Sequence, residues 1–209
     1  ISFAENLNLT NEDFWNRIIS NEMNYKKYNL DFLVNLVSSH DVKRVLTQMN
    51  SNKLIVKLIF GMMILYRGIP LIYYGDEIGL EGSEDPDNRR TMIWNESLQD
   101  IDLKNHITKL TGIRKSYSVF TRGEVNIIRN FPQRVLGFER FLSEAECKNA
   151  LVLANFSSEN LSINMSFNTL SHCRDKKELI SCLDERKFKV SKTGNLTIFL
   201  AGYDFIVLI

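Results

Sequence analysis

Two short apolar runs, FLVNLV at 32–37 and PLIYY at 70–74, stand on either side of the stretch NKLIVKLIFGMMILYR at 52–67. Neither run alternates cleanly between apolar and polar residues, which is the pattern of a strand buried on both faces. The stretch between them is apolar almost all round, so a helix formed there is buried on most sides. Gly68 can cap its C-terminal end, and Pro70 prevents it from continuing. Strand, buried helix, strand is the repeating unit of a parallel sheet, because parallel strands need a long crossover.

The flanking residues extend this reading. A helix is expected over 11–28, capped by Thr10 or Asn11, with Glu12 and Asp13 at its positive end and Phe14, Ile18 and Ile19 on one face. A short helix fits 42–49. An amphipathic helix fits 98–117, with Ile101, Leu103, Ile107, Leu110 and Ile113 as apolar anchors. Near Gly123 the pattern changes to VNIIRN, VLGFERF, ALVLANF, LSINMSF, KFKVS, LTIFLA and FIVLI. Short β-branched and aromatic runs with polar breaks mark an antiparallel sandwich or small barrel. The fold class expected is therefore α/β plus all-β, with one module over 1–122 and a second over 123–209.

Composition excludes some functions. A net charge of +1 over 209 residues leaves no basic footprint for nucleic acid or an anionic membrane. The longest apolar stretch, 54–66, is broken by Lys57 and falls short of the roughly 18–20 residues of a membrane span. No signal peptide is visible, although the chain begins with Ile1 and not Met. Cys147, Cys173 and Cys182 lack the spacing of a zinc site, and three reduced thiols are expected, as in a reducing compartment. No metal site and no cofactor are expected.

Both apolar runs end in acids: Ser38-Ser39-His40-Asp41 after the first, Gly75-Asp76-Glu77 after the second. In parallel β/α folds the loops at the C-terminal strand ends converge on one face and build the site there. Two adjacent strands delivering carboxylates to that face suit sugar chemistry, since retaining glycosidases flank the glycosidic bond with paired carboxylates. Structural readings stand beside this one. Asp41, Ser38 or Ser39 is of the right type to cap the helix that follows. Asp76 and Glu77 can be a solvated turn, and Asp85-Pro86-Asp87-Asn88 is a loop signal by itself.

The stretch FLVNLVSSHDVKRVLT resembles the region around the seventh strand of the α-amylase family of glycoside hydrolases (glycoside hydrolase family 13). That family carries a His-Asp pair followed by an Arg, here His40, Asp41 and Arg44. GIPLIYYGDEIGLEG is similar to the family's eighth strand and following loop. DPDNRRTMIW looks like a loop of its neopullulanase, cyclomaltodextrinase and maltogenic amylase branch, which often has NLxxSHD before the pair, as at 35–41 here. The resemblance implies the C-terminal part of a (β/α)8 TIM barrel, about its last two β/α units, followed by an antiparallel β-sandwich. It implies that Asp41 is the transition-state-stabilising carboxylate and that His40 binds the same sugar ring. Asp85 and Arg89 would bind the neighbouring glucose. Asp76 and Glu77 would be structural rather than catalytic.

This chain departs from the family in having Ser39 where Asn is common and Val42 where Thr is common. The larger departure is upstream. The family's nucleophilic Asp and acid/base Glu follow earlier strands, and the 39 residues before His40 carry neither motif. The expected parent is a retaining hydrolase of α-1,4-glucosidic bonds in maltodextrins, cyclodextrins or pullulan, with α-glucan oligosaccharides as partners and a cytoplasmic location. The chain alone is expected to be inactive. Its barrel strands should have open edges, its 52–67 helix should lose much of its packing, and it should self-associate. The alternative is a non-catalytic carbohydrate-binding or interaction module.

Overall fold

The computed structural model describes residues 9–142, 149–166 and 177–209. Helix α1 (Asn11–Glu22) opens with a capping box: the Thr10 hydroxyl accepts from the Asp13 amide, and the Asp13 carboxylate accepts from the Thr10 amide, both at 3.0 Å. It stops short of residue 28. The Asn24 side-chain amide donates to the Ser20 carbonyl at 3.2 Å, a competing bond of the kind that ends helices. A 3-10 turn (Lys27–Phe32) then takes Phe32, the first residue of the expected strand run.

That strand is reduced to β1 (Val34–Asn35), paired in parallel with β2 (Ile69–Pro70). The Ile69 amide donates to the Leu33 carbonyl and the Leu71 amide to the Asn35 carbonyl, each at 2.8 Å. Burial on both faces was the expectation, and it fails. Val37 and Ile72 pack on the core, but Val34, Leu36, Ile69 and Leu71 keep between 43% and 51% of their surface exposed. Among the described residues no third strand or inner layer covers that face.

Helix α2 (Val45–Gln48) begins three residues later than expected, with Arg44 at its N-cap position. Helix α3 (Lys53–Leu65) is capped by the Asn52 side chain, which accepts from the Ile55 amide at 3.2 Å. Helix α4 (Ile101–Ser116) begins where the Asp100 carboxylate accepts from the Leu103 amide at 3.0 Å. That cap leaves Ile101 exposed, while Leu103, Ile107, Leu110 and Ile113 are buried as expected. A short helix, α5 (Val119–Arg122), leads into the sheets.

α3 does not lose its packing. Val56 and all residues from 58 to 65 are buried, because residues of a β-sheet join α4 in the core around the helix. The Phe205 ring lies against Gly61 so closely that an added Cβ would sit 2.5 Å from it. The last turn of α3 has no basic residue of its own, and two arginines from elsewhere supply the donors its carbonyls lack. Arg114 donates to the carbonyls of Ile64, Tyr66 and Gly68, at 2.7, 2.9 and 2.6 Å. Arg140 donates to those of Leu65 and Gly123, at 3.0 and 2.7 Å, and its burial pushes the guanidinium down to about 10.

The covering sheet is antiparallel, in the order β10–β5–β4–β3, formed by β3 (Glu124–Ile128), β4 (Val135–Phe141), β5 (Asn149–Asn155) and β10 (Phe205–Leu208). Its period-two alternation sorts the side chains into two cores. Leu136, Phe138, Ala150, Val152, Ala154, Phe205 and Val207 join the helices, so one core crosses residue 123. Val135, Leu151, Leu153, Ile206 and Leu208 face a second layer. That layer contains β6 (Leu161–Ser166) paired with β9 (Asn195–Leu200), and β7 (Glu178–Ile180) paired with β8 (Lys187–Lys189). All seven expected runs hold a strand. β7 is additional. Cys182 is a half-buried free thiol, and Cys147 and Cys173 lie outside the described residues. No described helix is long and apolar enough to cross a membrane.

Candidate functional site

Beyond the C-terminal ends of β1 and β2, the segment 38–44 and the loop 75–90 close on each other. They carry two kinds of charged pair. The first is buried. Arg44 and Asp76 are both inaccessible and meet at 3.1 Å, Arg44 Nη1 donating to Asp76 Oδ1. Ser38 donates its hydroxyl to the other Asp76 oxygen. Arg44 also donates Nε to the Asn88 carbonyl at 2.8 Å and Nη1 to the Tyr74 carbonyl. Its guanidinium stacks on Tyr73 and Tyr74, 4.1 and 4.6 Å from their ring centroids. Burial pushes the Asp76 carboxyl up to about 6, against the bonds from Ser38 and Arg44 that favour its charged form. The turn presenting Asp76 is framed by Gly75 and Gly79 at φ of 85° and 75°, a left-handed backbone that costs glycine little.

The second kind faces solvent. His40 Nε2 lies 3.2 Å from Asp41 Oδ1, with the two side chains 62% and 70% exposed. Arg89 Nε lies 3.0 Å from Asp85 Oδ1, again with both side chains largely open. The same Nε donates to the His40 carbonyl at 3.2 Å, which joins the two pairs into one cluster. All four residues singled out in the sequence thus stand together. The capping reading of Asp41 is corrected: the helix that follows has Arg44 at its N-cap, and Asp41 sits three residues before it. Its own amide instead donates to Ser39 Oγ at 3.2 Å.

A carboxylate, an imidazole and a guanidinium, all exposed and fixed at the backbone, present acceptors and donors suited to sugar hydroxyls. Among the described residues no group of three or more His, Cys, Asp or Glu side chains is placed to hold a metal ion. By residue type Ser38 is a candidate helix cap, whereas in the structure its hydroxyl holds Asp76. By residue type Asn88 is part of a loop signal, whereas in the structure it is fully buried where its loop meets the 38–44 segment. Neither has a local signal beyond ordinary turn composition.

Comparison with known proteins gives the family. The family model described as alpha amylase, catalytic domain, matches residues 3–123. A cyclomaltodextrinase of Geobacillus thermopakistaniensis is 27% identical over 99% of this chain and 34% of its own length. An intracellular maltogenic amylase of Bacillus subtilis is 30% identical over 77% of this chain and 27% of its own length. The crystal structure of a maltogenic amylase from S. marinus superimposes with a TM-score of 0.65 at 34% identity, covering 83% of this chain and 22% of that one. The chain belongs to the α-amylase family of glycoside hydrolases, and its relatives lie in the cyclomaltodextrinase, maltogenic amylase and neopullulanase branch. It spans about a third or less of the length of these relatives.

Proposed function

We propose that this chain is the C-terminal portion of a retaining α-glucan hydrolase and supplies one wall of its sugar site. Residues 1–122 would be about the last two β/α units of a (β/α)8 barrel, and 123–209 a β-sandwich domain. The parent acts on α-1,4-glucosidic bonds of maltodextrins, cyclodextrins or pullulan. Asp41 stabilises the oxocarbenium-like transition state with its carboxylate, and His40 holds a hydroxyl of the same ring. Asp85 and Arg89 hold the next glucose. The observation that carries this reading is the exposed cluster of His40, Asp41, Asp85 and Arg89 beyond two parallel strand ends.

The nucleophile and the acid/base are assigned to earlier strands of the parent, so this chain alone is inactive. A second reading, a sugar-binding module without turnover, rests on the same exposed cluster. A cytoplasmic location fits the relative that is named intracellular. The open strip of Val34, Leu36, Ile69 and Leu71 favours self-association of the isolated chain.

The test is an end-point assay of the purified chain on maltotriose and β-cyclodextrin, with the sugars separated afterwards. No product is expected. Product above a protein-free blank would mean that the chain builds a complete active site and that the roles assigned to its residues are wrong. Light scattering of the same sample at tens of micromolar tests the association, and a clean monomer would count against it.

A further inference from the structure

Asn88 has no surface exposure, and its side chain points at one place. Nδ2 donates to the His40 carbonyl at 2.8 Å and to the Val42 carbonyl at 3.0 Å, the two main-chain oxygens on either side of Asp41. Its own carbonyl is held by Arg44 Nε at 2.8 Å. Asn88 also lies inside the turn that separates Asp85 from Arg89. The loop is drawn in tightly: a Cβ on Gly82 would stand 2.6 Å from the Asp87 carbonyl oxygen and 2.7 Å from Asn88 Cα. Arg44 and Thr47 also bind Gly82, the Arg44 amide donating to its carbonyl and its amide donating to Thr47 Oγ1, both at 2.9 Å.

We propose that Asn88 is a positioning residue that fixes the backbone of Asp41 relative to the Asp85–Arg89 pair, so that a glucan chain engages both loops as one unit. The proposal rests on the reading of these residues as sugar-facing. The physical basis is directional. Two donors on one rigid amide plane grip the carbonyl of the peptide unit that ends at Asp41 and the carbonyl two peptide units further on, which ties both ends of the short backbone stretch that carries Asp41. The same residue carries the start of Arg89 on its own peptide. Displacement of one loop therefore displaces the other.

The experiment is a maltotriose titration of the 209-residue chain, followed by nuclear magnetic resonance at the amides of 40–42 and 85–89. In the native chain both sets of signals are expected to move with one common midpoint. Asn88→Asp keeps the volume but turns an acceptor toward two carbonyls, and Asn88→Ala removes the donors. In either variant the 40–42 response is expected to vanish, or its midpoint to rise at least tenfold, while the 85–89 response persists. Unchanged β4 and β5 amide signals identify a folded variant. A common midpoint within twofold of native in a folded variant would overturn the proposal.

If both variants unfold, the native chain still decides. The Asn88 side-chain amide should exchange slowly with solvent and shift at the common midpoint, and a freely exchanging amide overturns the coupling. A native chain that responds at neither loop refutes the sugar reading and takes this proposal with it. Native loops that respond with separate midpoints refute the coupling alone.

Discussion

The buried pair Arg44–Asp76 and the exposed pairs His40–Asp41 and Asp85–Arg89 arise from the same two chain segments and have nearly equal separations, yet they differ in burial and in their hydrogen-bonded surroundings. The buried pair has stacking rings, a hydroxyl and two carbonyls around it, and no surface exposed. The exposed pairs have water around them and are screened by it. A charge with no access to solvent cannot meet a sugar, and a charge in full solvent holds little structure. The difference teaches that this strand end is two-layered: a floor of buried charge that fixes the loops, and an open layer available for chemistry.

The largest test removes the floor. Arg44→Ala leaves Asp76 buried without its partner and frees the Asn88 and Tyr74 carbonyls. Breaking a buried pair in this way costs about 3–5 kcal/mol, and for a domain of this size that lowers the melting temperature by roughly 10 °C. Calorimetry of the native chain and the variant measures it. A loss under about 1 kcal/mol would mean that the floor is not what holds the loops.

A second test separates the partners by pH. Asp76 sits at about 6 in the folded chain against an ordinary 3.8, so between those values the native state binds more protons than the unfolded state. Its contribution is complete below pH 3.8 and is lost as pH rises to about 6. At 1.36 kcal/mol per pH unit the gap is worth about 3 kcal/mol. Asp76→Asn removes this titration. The stability of the native chain relative to the variant should therefore fall between pH 4 and pH 7, whereas other carboxylates cancel in the difference. A flat difference profile would place Asp76 near its ordinary value.

Much of this was legible in the sequence, and the misses share a cause. Caps and strand runs are local, and they placed α3, α4 and seven strands, while the four exposed residues were singled out through the family resemblance. What failed depended on neighbours. FLVNLV reads as doubly buried by composition, but burial needs a layer on each face, and among the described residues nothing covers the face that carries Val34 and Leu36. The same reasoning left α3 short of packing, because nothing in its own residues announces that Phe205, far along the chain, closes over Gly61. Asp41 passes every type-based criterion for a cap, and only the backbone shows the helix starting after it. Asn88 reads as a turn residue, and its function as a bridge exists only once two loops have met.

The smallest stability effect is the sharpest test of the two-layer reading. Asp41→Asn and Arg89→Ala each remove one member of an open pair. Exposed pairs contribute about 0–1 kcal/mol, so both melting temperatures should stay within about 2–4 °C of the native chain. The same changes should abolish the maltotriose-induced signals at their own loop, because each deletes a group assigned to a sugar hydroxyl. Arg44→Ala is predicted to do the reverse in order of cause: it loses stability first and sugar response only as the loops come apart. Stability measured beside sugar response therefore separates the layers. If Asp41→Asn lowers the melting temperature as much as Arg44→Ala does, the open layer is structural after all. If it changes neither stability nor sugar response, the open layer is not where the glucan binds.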